Sequence, residues 1–149
     1  MILVIDLEAS CDEGDKLPGD EMEMIEVGAV WATLDGRSLA EFQALVRPVL
    51  HPRLTPFCRQ LTGITQADVD GAPLFPEVAA RLASFAQLHQ AEGARWGSWG
   101  QYDAKQLALD CARHGIANPL ASFEHINLKR QFAKTRKIKE VGMARALQM

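Results

Sequence analysis

Apolar and polar positions along the chain alternate with two different periods, and the change from one to the other outlines a fold. Ile2–Ile5 is a short apolar, β-branched run of the kind that forms a buried strand. Met24–Thr33 (MIEVGAVWAT) and Leu39–Arg47 (LAEFQALVR) read as two further strands, and the Asp-Gly pair inside Leu34–Ser38 predicts a hairpin turn between them. The acids, glycines and Pro18 of CDEGDKLPGDE make a solvated loop, and Pro48 and Pro52 end the strand-forming stretch. Helical spacing then takes over. Thr55–Leu61 predicts a short helix stopped at Gly63, and Thr65–Val69 another. Phe75–Leu88 carries Val78, Leu82 and Phe85 along one face. Arg95–Gly100 reads as a strand or strand end. Asp103–His114 reads as a helix closed by Gly115, and His125–Phe132 as a strand leading into a helix. Lys139–Met149 is expected to be helical throughout. Three early strands followed by alternating helices and strands predict one α/β domain with a mixed sheet.

Composition narrows the class without naming a chemistry. At 149 residues the chain suits one compact core. The formal net charge of −3 lacks the basic balance of many nucleic-acid binders, but suits an enzyme that meets phosphate through cations held by carboxylates. Cys11, Cys58 and Cys111 are far apart, odd in number and free of any Cys-x-x-Cys spacing, which argues against a disulfide framework or zinc site and for a reducing compartment. No basic stretch precedes the apolar run of MILVIDLEAS, so a signal peptide is not expected, and no run reaches the ~18 apolar residues of a membrane span. A cytoplasmic protein is the expectation.

Two acids follow the first apolar run. Asp6 and Glu8, placed where the first strand is expected to end, stand two residues apart; in extended chain both point to one face, roughly 6.6 Å apart at ~3.3 Å per residue. Acids so placed at the edge of a buried sheet suit a cation site, although Asp-x-Glu is also ordinary loop chemistry. Asp103 follows WGSWGQY and has two readings: an N-cap for the helix after it, or a third carboxylate delivered to the same site. Of the aromatics around it, Trp96 suits the core, and Tyr102 suits a stacking platform for a base.

VIDLEAS, IEVGAV, FCRQLTGITQADVDGAPLFPEV and WGSWGQYD, in this order and spacing, resemble the DEDDh family of 3′–5′ exonucleases. The likeness is strongest to the branch holding the histone-mRNA and RNA-interference-regulating exoribonucleases, and it spans nearly the whole chain. It implies a ribonuclease-H-like mixed sheet flanked by helices. It also implies metal ligation and catalysis by Asp6, Glu8 and Asp103, with two Mg²⁺ or Mn²⁺ ions ~3.5–4 Å apart clamping the scissile phosphate. The terminal nucleotide would be bound by Glu8, the backbone of Ala9, the Leu61–Thr62–Gly63–Ile64 turn and Tyr102. The expected substrates are single-stranded RNA 3′ ends, with DNA as a further option and nucleoside 5′-monophosphates as products; the oligomeric state is not legible.

The family's histidine base and fourth acid, H-x-x-x-x-D, do not match. Five residues after His51, His89, His114 and His125 stand Pro56, Ala94, Pro119 and Arg130. The expectation is therefore a domain truncated at its C-terminus, with part of the fold missing and weak or no activity in these 149 residues. The alternative is an inactive RNA- or protein-binding homologue. The four histidines read as surface or capping residues, and Cys11 as a small buried thiol or a residue lining the pocket. The basic run Lys129, Arg130, Lys134, Arg136, Lys137 and Lys139 reads as a solvated helix face or a path for a nucleic-acid backbone.

Overall fold

The computed structural model describes residues Met1–Met149. Five strands form one sheet in the order β3-β2-β1-β4-β5. They are β1 (Ile2–Ala9), β2 (Met24–Ala32), β3 (Ser38–Leu45), β4 (Arg95–Ser98) and β5 (Glu124–Asn127). β1, β2 and β3 pair antiparallel, whereas β4 and β5 run parallel to β1, so the sheet is mixed as the alternating pattern predicts. The helices are α1 (Pro56–Thr62), α2 (Gln66–Asp70), α3 (Phe75–Ala86), α4 (Tyr102–His114), α5 (Leu128–Arg136) and α6 (Met143–Ala146). No helix is long and apolar enough to cross a membrane.

β1 runs four residues beyond the apolar stretch. Its odd positions Leu3, Ile5, Leu7 and Ala9 are buried, and its even positions are at least partly open. Polar residues on one face do not end a strand whose other face stays buried. Asp6 and Glu8 therefore lie inside β1, not beyond its end, each held opposite a β2 residue: Asp6 against Gly28 and Glu8 against Glu26.

The odd face of β1 carries the main core. Leu3, Ile5, Leu7, Val27, Ala29 and Trp31 pack beneath Val78, Leu82 and Phe85 of α3 and Leu107 and Cys111 of α4. Trp31 sits wholly inside, with its indole N–H donating to the Phe85 carbonyl at 2.9 Å. A second cluster of Ile25, Leu54, Cys58, Ile64 and Val69 fixes α1 and α2 beside the end of β1. On the opposite face α5 covers β4, with its Leu128 against Gly97. A Cβ at Gly97 would meet the Leu128 side chain at 2.9 Å, so only glycine lets α5 lie this close to the sheet.

The C-terminal segment departs from expectation. Instead of a helix over Lys139–Met149 only Met143–Ala146 is α-helical, opened by the extended Gly142 and buried nowhere. A four-residue helix without a packed face gains nothing from tertiary contact to offset its nucleation cost. His125 also differs: it is half-buried on the Trp96 side of the sheet, its ring 4.4 Å from the Trp96 ring and within 2.8 Å of the Ser98 hydroxyl. Asn127, not His125, caps α5, accepting from the Arg130 amide at 3.0 Å. Among the other histidines, His51 is exposed and pairs with Glu21 at 3.0 Å, while His89 and His114 rest against Trp31 and Phe75. Cys11 is partly exposed, not buried.

Candidate active site

Three acids converge on the open face of the sheet at the C-terminal end of β1. Asp6 and Glu8 project from neighbouring even positions of one strand. Asp103 comes from the first turn of α4, which β4 delivers alongside β1 through the Leu3–Trp96 and Val4–Gly97 register. Asp103 is not the N-cap: Gln101 holds that position with no side-chain bond, and Asp103 lies two residues inside the helix, only 7% exposed. Its carboxylate is thus aimed at the β1 acids, not spent on the helix end.

The electrostatics show that these groups sense one another. Burial, then the charges of Asp6 and Glu8, push the Asp103 carboxyl up to about 7, against a smaller lowering by the Leu7 amide. Glu8 is raised by burial and then by Asp6 and Glu26, and Asp6 by burial and Glu26. Glu26 is the acid that the sequence reading missed. It stands opposite Glu8 on β2 and accepts a hydrogen bond from the Gln43 amide at 2.8 Å. Period-two alternation along MIEVGAVWA marks its face, but only the β1–β2 register reveals its partner. No lysine or arginine pairs with any of the four acids.

Uncompensated carboxylates suit a divalent cation, and an all-oxygen donor set suits Mg²⁺ or Mn²⁺ in particular. The acids do not close into a finished cage, since no three of the chain's Asp, Glu, His and Cys side chains stand near enough to hold one ion together. The donor chemistry fits; the complete shell needs further ligands or movement of these side chains.

The remaining predicted residues differ in exposure. Tyr102 is 48% exposed at the start of α4, its phenol pushed up to about 12 by burial and then by Asp103. Gly63 takes the left-handed conformation at φ 73° and ends α1. Beside it Thr62 donates its hydroxyl to the Cys58 carbonyl at 2.8 Å, and Leu61 is 67% exposed. Ile64, by contrast, is buried in the second cluster. Ala9 is buried, and its carbonyl faces the Cys58 thiol at 3.8 Å. Beyond Asp6 the face continues as an open depression of about 420 Å³ over Val4, Gly28, Val30 and Gln43.

The family model described as Exonuclease (RNase_T) matches residues 3–138. The chain belongs to this exonuclease family. Within it, the chain is 36% identical over 140 residues to ERI1 exoribonuclease 3 of Mus musculus, covering 88% of this chain and 40% of that protein. It is 31% identical over 145 residues to 3′-5′ exoribonuclease 1 of Homo sapiens, covering 92% and 40%. The chain thus spans about 40% of the length of these curated relatives. Among solved structures, the nuclease domain of 3′hExo, described as a DEDDh family member bound to rAMP, matches with a TM-score of 0.83 at 30% identity over 93% of this chain and 72% of that one. The mixed sheet flanked by helices is the ribonuclease-H-like fold of these exonucleases.

The Asp103 shift has a pH consequence. An Asp in the unfolded chain releases its proton near 3.8, and the folded site holds it to about 7. Between those values the folded state binds more protons, so the group's contribution to stability falls as pH rises through the window. We expect the cation-free protein to lose on the order of 2 kcal/mol through this site between pH 4 and 8. Urea melts in EDTA check this: with Asp103→Asn the decline should be shallower, and an unchanged slope would remove Asp103 as its source.

Proposed function

We propose that the chain carries a metal-dependent 3′–5′ exonuclease site acting on single-stranded RNA 3′ ends and releasing nucleoside 5′-monophosphates. The observation that carries this is the meeting of Asp6, Glu8 and Asp103 on one open sheet face with no cationic side chain to neutralise them. The relatives' names supply the substrate class, since those relatives are exoribonucleases.

Asp6, Glu8 and Asp103 would hold Mg²⁺ or Mn²⁺, and such ions supply charge neutralisation at the scissile phosphate and water of lowered pKa. The chain's own residues do the positioning. Tyr102 and Leu61 offer exposed apolar surface for the terminal base, and the β1 backbone from Glu8 to Ala9 runs beside it. Buried as it is, Asp103 orients from a rigid helix rather than from a loop. No histidine is paired with any of the three acids. A general base contributes typically ~10²–10⁴-fold, so the 149 residues alone are expected to turn over slowly. A cytoplasmic setting belongs to the same proposal, in keeping with three free thiols.

The direct test is degradation of a 5′-labelled single-stranded RNA with Mg²⁺ or Mn²⁺, beside a DNA of the same sequence. Stepwise shortening from the 3′ end that EDTA stops is expected, slow for this chain. Internal cuts, or loss of label from the 5′ side, would defeat the proposal.

A further inference from the structure

The chain is acidic overall, yet six of its 16 Lys and Arg stand between Lys129 and Lys139, a stretch holding none of its 19 Asp and Glu. The helix that bears them is not remote from the carboxylates. α5 starts on the same sheet face: its Leu128 covers Gly97, and Gly97 is in register with Val4, an even position of β1 like Asp6 and Glu8. The Lys129 stem passes 4.0 Å from the point where Gly100 would carry a Cβ, and Gly100 lies just ahead of Tyr102 and Asp103.

Two aromatic contacts hold α5 in that orientation. Trp99 packs on Phe132 with ring centres 5.6 Å apart, and its indole N–H donates to the Val141 carbonyl at 3.1 Å. The Arg136 guanidinium lies over the Phe132 ring, 5.5 Å from its centre. The cations themselves are largely unspent. Arg130 is paired with Glu140 at 3.7 Å, while Lys129, Lys134, Arg136, Lys137 and Lys139 make no ion pair. The stretch is all positive, and it starts beside an all-negative site. Such a division suits a polyanion whose end is taken by cations at the carboxylates and whose following phosphates need positive side chains directly.

We propose that α5 and the turn after it, from Lys129 to Lys139, form a phosphate track that grips the backbone of a single-stranded nucleic acid upstream of the 3′ nucleotide. The proposal rests on the carboxylate face being the 3′-end site, and it adds a second contact that recognises phosphodiester charge and not base or sugar. α5 spans ~14 Å at 1.5 Å per residue, so the track matters only for strands that extend beyond the terminal nucleotides.

The test separates the two contacts. The chain is compared with K134E/R136E/K139E, and with the milder K134A/R136A/K139A in case charge reversal disturbs folding; circular dichroism reports the fold. Fluorescence anisotropy in EDTA measures binding of a single-stranded RNA dinucleotide, an RNA 12-mer and the matching DNA 12-mer over a salt series. Calorimetry measures Mn²⁺-dependent binding of AMP. The reversal variant should bind both 12-mers at least ~10-fold more weakly at 0.1 M salt, and its salt slope should be shallower by roughly 0.7 for each cation removed. The alanine variant should show a smaller loss in the same direction, and AMP and dinucleotide binding should not change. Unchanged 12-mer affinity and salt slope in the folded variants would overturn the track, as would a loss confined to RNA or to DNA. Failure of the unaltered chain to bind AMP with Mn²⁺ would instead count against the 3′-end site, and a salt-dependent loss on the 12-mers would still establish the track.

Discussion

Replacing Asp103 with Asn will remove the response to Mn²⁺ while making the cation-free protein more stable at pH 8. The two effects share one cause. Asp103 is 7% exposed, and its carboxyl is held up to about 7 by burial and then by the charges of Asp6 and Glu8. At pH 8 the native protein must keep that carboxyl largely ionised beside two like charges. Asn fills the same space but brings no charge. A gain of about 1 kcal/mol is expected, or roughly 2–4 °C in Tm for a domain of this size. The cost falls on the cation. An ion present at 100 times its Kd stabilises by about 2.7 kcal/mol, so saturating Mn²⁺ should raise the Tm of the unaltered chain by several degrees and that of the variant by nothing. Turnover, wherever the complete site is present, should fall at least ~10³-fold, more than the 10–100-fold typical for losing a group behind the ligands. Thermal melts at pH 8 with EDTA and with Mn²⁺ suffice. A variant less stable than its parent in EDTA, yet still shifted by Mn²⁺, would make Asp103 a structural residue and leave the site without its third acid.

That trade between stability and site is what the sequence could not state in full. The strands were legible because alternation and β-branched runs are local properties. β2 and β3 came within two residues of their observed ends. β1 was read too short because its apolar run stops at Asp6, whereas pairing with β2 continues to Ala9. Asp6 and Glu8 were visible as a pair because period two follows from strand geometry. Asp103 was visible only as an acid at a helix start, where capping and site chemistry ask for the same residue types. The structure separates the two by placing it in the first turn, past the N-cap Gln101 and on the buried side. Glu26 was out of reach, because its bearing on Glu8 depends on a register set across the 14-residue connection between β1 and β2. The C-terminal segment failed for the opposite reason. Helical composition was read there without a partner surface, and Met143–Ala146 has none.

Asp110→Ala should be the most destabilising single change among the buried acids, costing about 3 kcal/mol and lowering Tm by roughly 10 °C. Asp110 lies seven residues after Asp103 on the same buried side of α4 and is 1% exposed. Burial raises its carboxyl too, but here the Gln106 amide, the Met24 amide and the Arg113 guanidinium all pull it back down. It accepts from Met24 N–H at 3.1 Å, Gln106 Nε2 at 2.8 Å and Arg113 Nη1 at 2.9 Å. Arg113 in turn reaches the Asp20 and Met22 carbonyls at 2.9 and 3.1 Å, so the network ties the long β1–β2 connection to α4. The connection is pinned again by Glu23, whose buried carboxylate accepts the Val49, Leu50 and His51 amides at 2.6, 2.7 and 3.1 Å. Removing the Asp110 carboxylate strands a nearly buried guanidinium and two donors at once, and an uncompensated buried charge is what makes breaking such a pair expensive. Asp110→Asn keeps an acceptor for Met24 and should cost about half as much, since it loses the charge but not the hydrogen bond. Thermal unfolding of both variants in EDTA decides the matter, and a loss under ~1 kcal/mol for Asp110→Ala would show that the network adds no net stability. The two acids of α4 then respond in opposite directions to loss of their charge. Asp110 has its counter-charge within the chain, and Asp103 lacks one, which is the physical ground for assigning the first to the fold and the second to a cation.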